Sequence, residues 1–383
     1  MFEEILEYIR DVYQSDDFIP LHIPTISKID KDYVSDCLNS TFVSSVGKYV
    51  DQFEQHISKF TGAKSSIATV NGTAALHAAL SLKGVKQGDE VICQPFTFIA
   101  TSNAISYCGA NPVFVDIESK FLSLCPNKLD DFFKQNTKFK NGSCYNIATG
   151  KKISAVIIMH SFGMPGLVNE VLEVCKKNGV ILVEDAAESL GSWVDGKHTG
   201  LIGDVGVLSF NGNKIITTGG GGMILFNNKE DGEKAKHLTT TAKLPHKWEY
   251  NHDMVGFNYR LPNLNAAMGV AQMEKINSFL KIKREIAIKY DNMISQMQKV
   301  SLFKEDENRK SNYWLNALIF DDPHDRDSFL EVSNNNGIMT RPPWGLLSEQ
   351  KPYKHCFSGD LSVSREFASR IANIPSSVTG YED

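Results

Sequence analysis

A chain of 383 residues, 42% apolar and 22% charged, hides roughly three quarters of its unfolded surface on folding, so neither disulfides nor a structural metal is required to hold it together. At ~150 residues per domain, that length predicts one large domain with a smaller companion. Forty Lys and Arg against 45 Asp and Glu leave a formal charge of −5, without the basic excess that nucleic-acid binding draws on.

Phe2, Ile5, Leu6, Ile9, Val12 and Tyr13 recur at helical spacing. They predict an amphipathic N-terminal helix within residues 1–18. Glu3 and Glu4 stand where a secretory signal carries positive charge. No apolar run nears the ~18 residues of a membrane span, so a cytoplasmic protein with no membrane partner is expected. From about residue 60, short β-rich runs alternate with helix-compatible ones. Strands are predicted at 66–70, 90–94, 113–116, 154–159, 179–184, 205–210 and 222–226, with helices at Ala74–Leu82 and Val168–Lys177 among them. This rhythm predicts an α/β fold whose large domain, residues 19–265, holds a mostly parallel seven-stranded sheet covered by helices on both faces. The polar, Lys-rich residues 127–152 read as a surface excursion. A long helical pattern from Leu264 to about Met297 then opens a smaller C-terminal α+β domain, residues 266–383. Seven cysteines, odd in number and with no CxxC pair, predict reduced core thiols. The N-x-S/T triplets at Asn39, Asn71 and Asn141 read as chance matches.

Parallel sheets of this kind bind ligands at the carboxyl ends of their strands, and four strand ends here carry suggestive residues. The first runs into Asn71-Gly72-Thr73 and directly into a helix pattern, where free backbone N–H groups would cradle an anion such as a phosphate. The second is followed by Phe98, an aromatic that could stack on a planar ligand or simply fill core. The fifth ends in Glu184-Asp185-Ala186-Ala187-Glu188. Those carboxylates could cap a helix, hold a cation, or pair with a cationic ring nitrogen. The sixth delivers Ser209 and, five residues later, Lys214, followed by Gly219 to Gly222. A lysine is ordinarily solvated and inert, but one trapped between a buried strand and a glycine-dense turn can become nucleophilic. His160, after the fourth strand, reads as a packed or hydrogen-bonded histidine. No GxGxxG opens a helix after a strand, no Walker A pattern occurs, and no His/Cys set has zinc spacing, so no metal is expected.

These strand ends, taken in order, resemble the DegT/DnrJ/EryC1 family of pyridoxal-phosphate-dependent nucleotide-sugar aminotransferases. The specific pieces are Phe42 to Lys48 (FVSSVGK), Val183 to Ser192, Ser209 to Lys214 with Thr217-Thr218 and the glycines, and Gly256 to Arg260 (GFNYR). The likeness runs from Ile19 to about Pro375. It implies fold type I, the aspartate-aminotransferase architecture, with pyridoxal 5′-phosphate as cofactor and a homodimer with two shared sites. By position, Lys214 matches the lysine that joins the cofactor covalently and carries the proton, and Asp185 the acid that pairs with the ring nitrogen. Gly72, Thr73 and Ser209 match the phosphate-binding groups, Phe98 the ring against the pyridine face, and Glu188 the group near the phenolic oxygen. Asn258 and Arg260 resemble residues that reach across the dimer. Lys48 is a candidate for the nucleotide diphosphate and Arg341 for the sugar nucleotide, with a structural salt bridge an equal alternative for Arg341. Lysine at 214, where some relatives carry histidine and are dehydratases, favours an aminotransferase. Asn211 to Thr218 is similar to enzymes aminating C4 of 4-keto-6-deoxy sugars. Ile19-Pro20-Leu21-His22 with Phe42 to Lys48 resembles the legionaminic acid type, which implies a UDP-linked 2-acetamido-4-keto-2,6-dideoxy hexose and L-glutamate. The alternatives are a C3 enzyme, a TDP- or GDP-linked ketosugar, or a non-catalytic sensor that keeps the cofactor site.

Overall fold

The computed structural model describes residues 1–381. Its helices are α1 (Phe2–Tyr13), α2 (Lys28–Asn39), α3 (Lys48–Thr61), α4 (Gly72–Leu82), α5 (Ala100–Tyr107), α6 (Pro126–Asn136), α7 (Val168–Asn178), α8 (Lys229–Thr239), α9 (Asn263–Ile294), α10 (Pro323–Asn335) and α11 (Ser362–Arg370). The strands up to the middle of the chain are β1 (Ser65–Thr69), β2 (Glu90–Cys93), β3 (Asn111–Phe114), β4 (Thr137–Lys140), β5 (Ser143–Asn146), β6 (Lys152–Met159) and β7 (Ile181–Asp185). After a short ribbon of β8 (Trp193–Val194) and β9 (Lys197–His198) come β10 (Val205–Ser209) and β11 (Gly222–Phe226). The C-terminal part adds β12 (Val300–Leu302), β13 (Arg309–Lys310), β14 (Asn316–Phe320) and β15 (Ile371–Ile374).

The seven predicted strands form one continuous path, β1-β11-β10-β7-β6-β2-β3. Only β11 runs against its neighbours β1 and β10; the other pairings on the path are parallel. Period-two alternation splits their apolar residues between two faces. Ile67, Val91, Ile157, Val183, Val207 and Ile224 pack with α4, α5 and α8. Ala68, Leu208, Met223 and Leu225 face α3 and the first half of α9. Ile92, Val156, Ile158 and Leu182 face α6 and α7 on that same second side. Both faces are covered, which is why these strands read as unbroken apolar runs.

The surface excursion expected at 127–152 is corrected. It contains α6 and then the hairpin β4–β5, which pairs antiparallel with the start of β6 and widens the sheet to nine strands. The hairpin turns at Asn141-Gly142, both at positive φ (51° and 73°), the geometry of a tight two-residue turn. Only Cys144 and Asn146 point inward, and Asn146 donates from Nδ2 to Glu90 at 2.8 Å. The apolar pattern is therefore too sparse to announce a strand.

The N-terminal helix does not stand alone. Ile5, Leu6, Ile9 and Val12 pack with Ile286, Tyr290, Met293 and Ile294 of α9, with β12, β14 and β15, and with Phe329 of α10. The first and last parts of the chain thus share one core. All seven cysteines are unpaired, and burial pushes the thiols of Cys93 and Cys175 up. Among the described residues no helix is long and apolar enough to cross a membrane, and no His, Cys, Asp and Glu cluster could hold a metal ion.

Candidate active site

Because β1, β10, β7, β6 and β2 run in one direction, their carboxyl ends share one edge of the sheet, and a cleft of about 330 Å³ opens there. At its floor β1 gives way to α4. Asn71 caps that helix, its side-chain oxygen accepting the N–H of Ala74 at 2.8 Å. The earliest N–H groups of a helix have no partner within it, so the turn presents donors toward the cleft. Two glycines leave room for this. A Cβ at Gly72 would lie 3.0 Å from Cβ of Ser209, and one at Gly222 would lie 2.5 Å from the carbonyl carbon of Asn71. Thr73 and Ser209 line the same corner.

At the end of β7 two adjacent carboxylates point opposite ways. Glu184 is buried and accepts N–H groups from Gly200 (2.8 Å), Ile202 (2.6 Å) and Gly203 (2.6 Å), with His160 Nε2 at 3.1 Å. Burial alone would raise its carboxyl, but His160 and these N–H groups outweigh it and hold it below the usual range. His160 takes the N–H of Gly166 on Nδ1, so Nε2 carries the hydrogen and the ring is a structural donor. Asp185, 4% exposed, lines the cleft. It accepts the Thr101 hydroxyl at 2.8 Å and the N–H of Ala187 at 3.3 Å. Burial raises its carboxyl, and the Thr101 bond works against that shift.

Lys214 follows β10 in a tight turn closed by its N–H on the carbonyl of Asn211. Its Nζ lies 3.1 Å from Oε1 of Glu188 and 4.0 Å from the centre of the Trp314 ring. The other Glu188 oxygen accepts the N–H of Phe162 at 3.0 Å. Burial pushes the Glu188 carboxyl up to about 7, with Lys214 opposing. Phe98, 53% exposed, stands at the mouth, and Met159, Trp314 and Trp344 complete the walls.

Gly72, Thr73, Phe98, Asp185, Glu188, Ser209 and Lys214 therefore converge on one cleft. Four predicted residues lie outside it in this chain. Lys48 pairs with Asp36 at 2.8 Å on a separate surface hollow with Phe42 and Asn263. Asn258 accepts from Nε of Arg260 at 3.1 Å on a strip bridged to Thr69 and Thr240. Arg341 is exposed and joined to Asn373 through the main chain. The sequence reading missed Thr101, buried behind Asp185, and Trp314 and Trp344 in the cleft wall. Thr101 had a faint signal, since Thr97 sits one turn earlier and bonds to it at 3.0 Å. The tryptophans come from the C-terminal part and had none.

An anion cradle that a single Cβ would fill, a buried carboxylate beyond it and a partly buried amine just after the neighbouring strand suit pyridoxal phosphate, which needs a phosphate site, a partner for its ring nitrogen and a lysine. The architecture and this edge define a pyridoxal-phosphate enzyme of fold type I. The chain belongs to the DegT/DnrJ/EryC1/StrS aminotransferase family, whose sequence profile matches residues 24–381. It is 35% identical over 361 residues to the GDP-perosamine synthase of Vibrio cholerae, covering 94% of each chain. It is 29% identical over 295 residues to the UDP-4-amino-4,6-dideoxy-N-acetyl-beta-L-altrosamine transaminase of Campylobacter jejuni, covering 77% of this chain and 74% of that one. The crystal structure of the aminotransferase TlmJ from Streptoalloteichus hindustanus superposes with a TM-score of 0.85 at 26% identity, covering 94% and 93% of the two chains. The protein is accordingly an aminotransferase with pyridoxal phosphate as its cofactor.

Proposed function

We propose that this enzyme moves an amino group from L-glutamate to C4 of a GDP-linked 4-keto-6-deoxy hexose. The observation that carries the reading is the placement of Lys214 Nζ in a buried cleft, 3.1 Å from Glu188, with Asp185 at the end of a neighbouring strand. Bound pyridoxal phosphate supplies an electron sink that lets the amine-bearing carbon lose its proton. Asp185 would pair with the ring nitrogen and keep it cationic. Backbone N–H groups at Gly72 and Thr73, with the Ser209 hydroxyl, would hold the phosphate. Phe98, at the cleft mouth, would offer an aromatic face to the ring. Lys214 would hold the cofactor covalently and, as a free amine, would carry the proton that leaves the amine-bearing carbon. Glu188 faces that amine and would approach the cofactor's phenolic oxygen. Trp314, Trp344 and Met159 keep water from the reacting carbon.

The finer identity of the acceptor follows the names of the relatives. The GDP-linked reading rests on the 35% identity to the Vibrio synthase and displaces the UDP-linked acetamido sugar of legionaminic acid synthesis expected from the sequence. The UDP reading keeps some support from the Campylobacter transaminase. Lys48, Arg260 and Arg341 are proposed to meet the diphosphate and sugar. Asn258 and Arg260 lie outside the cleft of their own chain, which fits their reaching a second copy's cleft in a homodimer. Residues 19–265 are proposed as the cofactor domain and 266–383 as the small domain. Incubation with L-glutamate and GDP- or UDP-linked 4-keto-6-deoxy hexoses, with NMR to locate the new amine, tests the assignment. The reading predicts an amine on C4 of the GDP sugar; turnover of the UDP sugar alone, or an amine on C3, refutes it.

A further inference from the structure

The wall of the cleft opposite the sheet is held with unusual care. Trp314, 3% exposed, donates its indole N–H to the carbonyl of Asn213 at 2.5 Å, the residue before Lys214. Its ring centre lies 4.0 Å from Lys214 Nζ. One indole therefore grips the lysine's turn and covers the lysine's amine. Two ties hold the backbone that carries the indole. Asn312 accepts the main-chain N–H of Trp314 at 2.8 Å and donates to the carbonyls of Glu188 (2.8 Å) and Leu190 (2.9 Å), binding this segment to the loop that carries Glu188. Lys283, fully buried on α9, donates to the carbonyl of Trp314 at 3.1 Å and to those of Tyr313 (3.5 Å) and Ser376 (2.5 Å). A buried lysine whose acceptors are main-chain carbonyls is costly unless it secures geometry. The His22 ring lies 6.5 Å from the indole.

We propose that Trp314 is a positioning residue for the amine of Lys214, with Asn312 and Lys283 as the ties that fix the backbone from which its indole projects. The proposal rests on the reading of Lys214 as the reacting amine. A lysine side chain has four rotatable bonds and loses about 2 kcal/mol of rotamer entropy when fixed. An indole face on one side and Glu188 on the other leave it one orientation before the reaction starts, so that loss does not fall on the chemical step. The ring face also attracts the nitrogen when it carries the transferred proton.

The test compares Trp314→Phe, Trp314→Leu and Lys283→Met in the full chain. Two quantities are read: the rate at which cofactor-free protein captures pyridoxal phosphate, followed by absorbance, and kcat and KM of the holoenzyme. Freeing the lysine side chain predicts a decrease of about 30-fold in both capture rate and kcat for Trp314→Leu, the size of the rotamer entropy that is no longer prepaid. KM for glutamate and for the sugar nucleotide stays within about twofold, since ground-state binding is untouched. Trp314→Phe keeps a face and recovers to within about fivefold of the native rates. Lys283→Met falls between them; if it does not fold, the two Trp314 variants decide. Native capture and kcat in Trp314→Leu overturn the proposal, as does a loss confined to KM for the sugar nucleotide, which would make the indole a substrate wall. Borohydride reduction of the native enzyme separates the two levels. A label away from Lys214 overturns the site reading and this proposal with it, whereas a label on Lys214 with unaffected Trp314→Leu overturns the proposal alone.

Discussion

Replacing Thr101 by valine removes one hydroxyl of nearly unchanged shape from behind Asp185. That hydroxyl donates to Oδ2 at 2.8 Å between two buried residues, and it opposes the upward push of burial on the carboxyl. A hydrogen bond to a charged group is worth about 1.5–3 kcal/mol, which at 1.36 kcal/mol per unit amounts to about one to two pKa units. The sign is upward: without the donor the ionised form is less favoured, and Asp185 stays protonated to higher pH. The acid limb of the kcat–pH profile of Thr101→Val should therefore move up by about one to two pH units, and pyridoxal phosphate should bind more weakly. Thr101→Ser keeps the hydroxyl and should restore the native limb. Thr97→Val, which removes only the outer bond at 3.0 Å, should shift it less. Superposable profiles for Thr101→Val and the native enzyme, with equal cofactor affinity, would refute the assignment of Asp185 as the partner of the ring nitrogen.

Other consequences concern stability and the cradle. Glu188 rises from 4.5 to about 7 on folding, so the native cofactor-free protein binds the extra proton and its stability should fall as pH rises across that window. Glu188→Gln should flatten this slope in urea melts. Lys283 drops from 10.5 to about 7, so the unfolded state holds the extra proton and stability should instead rise between those values, a slope that Lys283→Met should lose. Gly222→Ala forces a Cβ to within 2.5 Å of the Asn71 carbonyl carbon. It should destabilise by about 1–3 kcal/mol in melts and weaken cofactor binding by at least about tenfold in absorbance titrations. Glu184→Gln removes the charge that gathers three backbone N–H groups and should lower stability by roughly 3 kcal/mol, with the loop at 199–203 the first to exchange its amide hydrogens.

The strands of the sheet were legible because burial on both faces leaves them as short apolar runs, and the chemistry stands directly at their exits: Gly72 after β1, Asp185 at the end of β7, Lys214 after β10. The β4–β5 hairpin was not. Phe139 faces solvent, only Cys144 and Asn146 point inward, and the Asn141-Gly142 signal lay within polar sequence. Packing of α1 against Tyr290 and Phe329 joins parts of the chain hundreds of residues apart and leaves no local trace beyond the apolar stripe. Thr101 and Trp314 matter only because α5 and the segment before β14 arrive beside strand ends far away in sequence. A lysine's surroundings are equally illegible: Lys48 meets Asp36 on the helix before it, while Lys214 meets a glutamate and an indole.

The central claim is that one particular amine among the chain's many lysines holds the cofactor. Reduction of the holoenzyme with borohydride, followed by digestion and mass spectrometry, should place the pyridoxyl group on Lys214 and lose it in Lys214→Ala. A pyridoxyl group on Lys48, Lys283 or any other lysine would contradict the account.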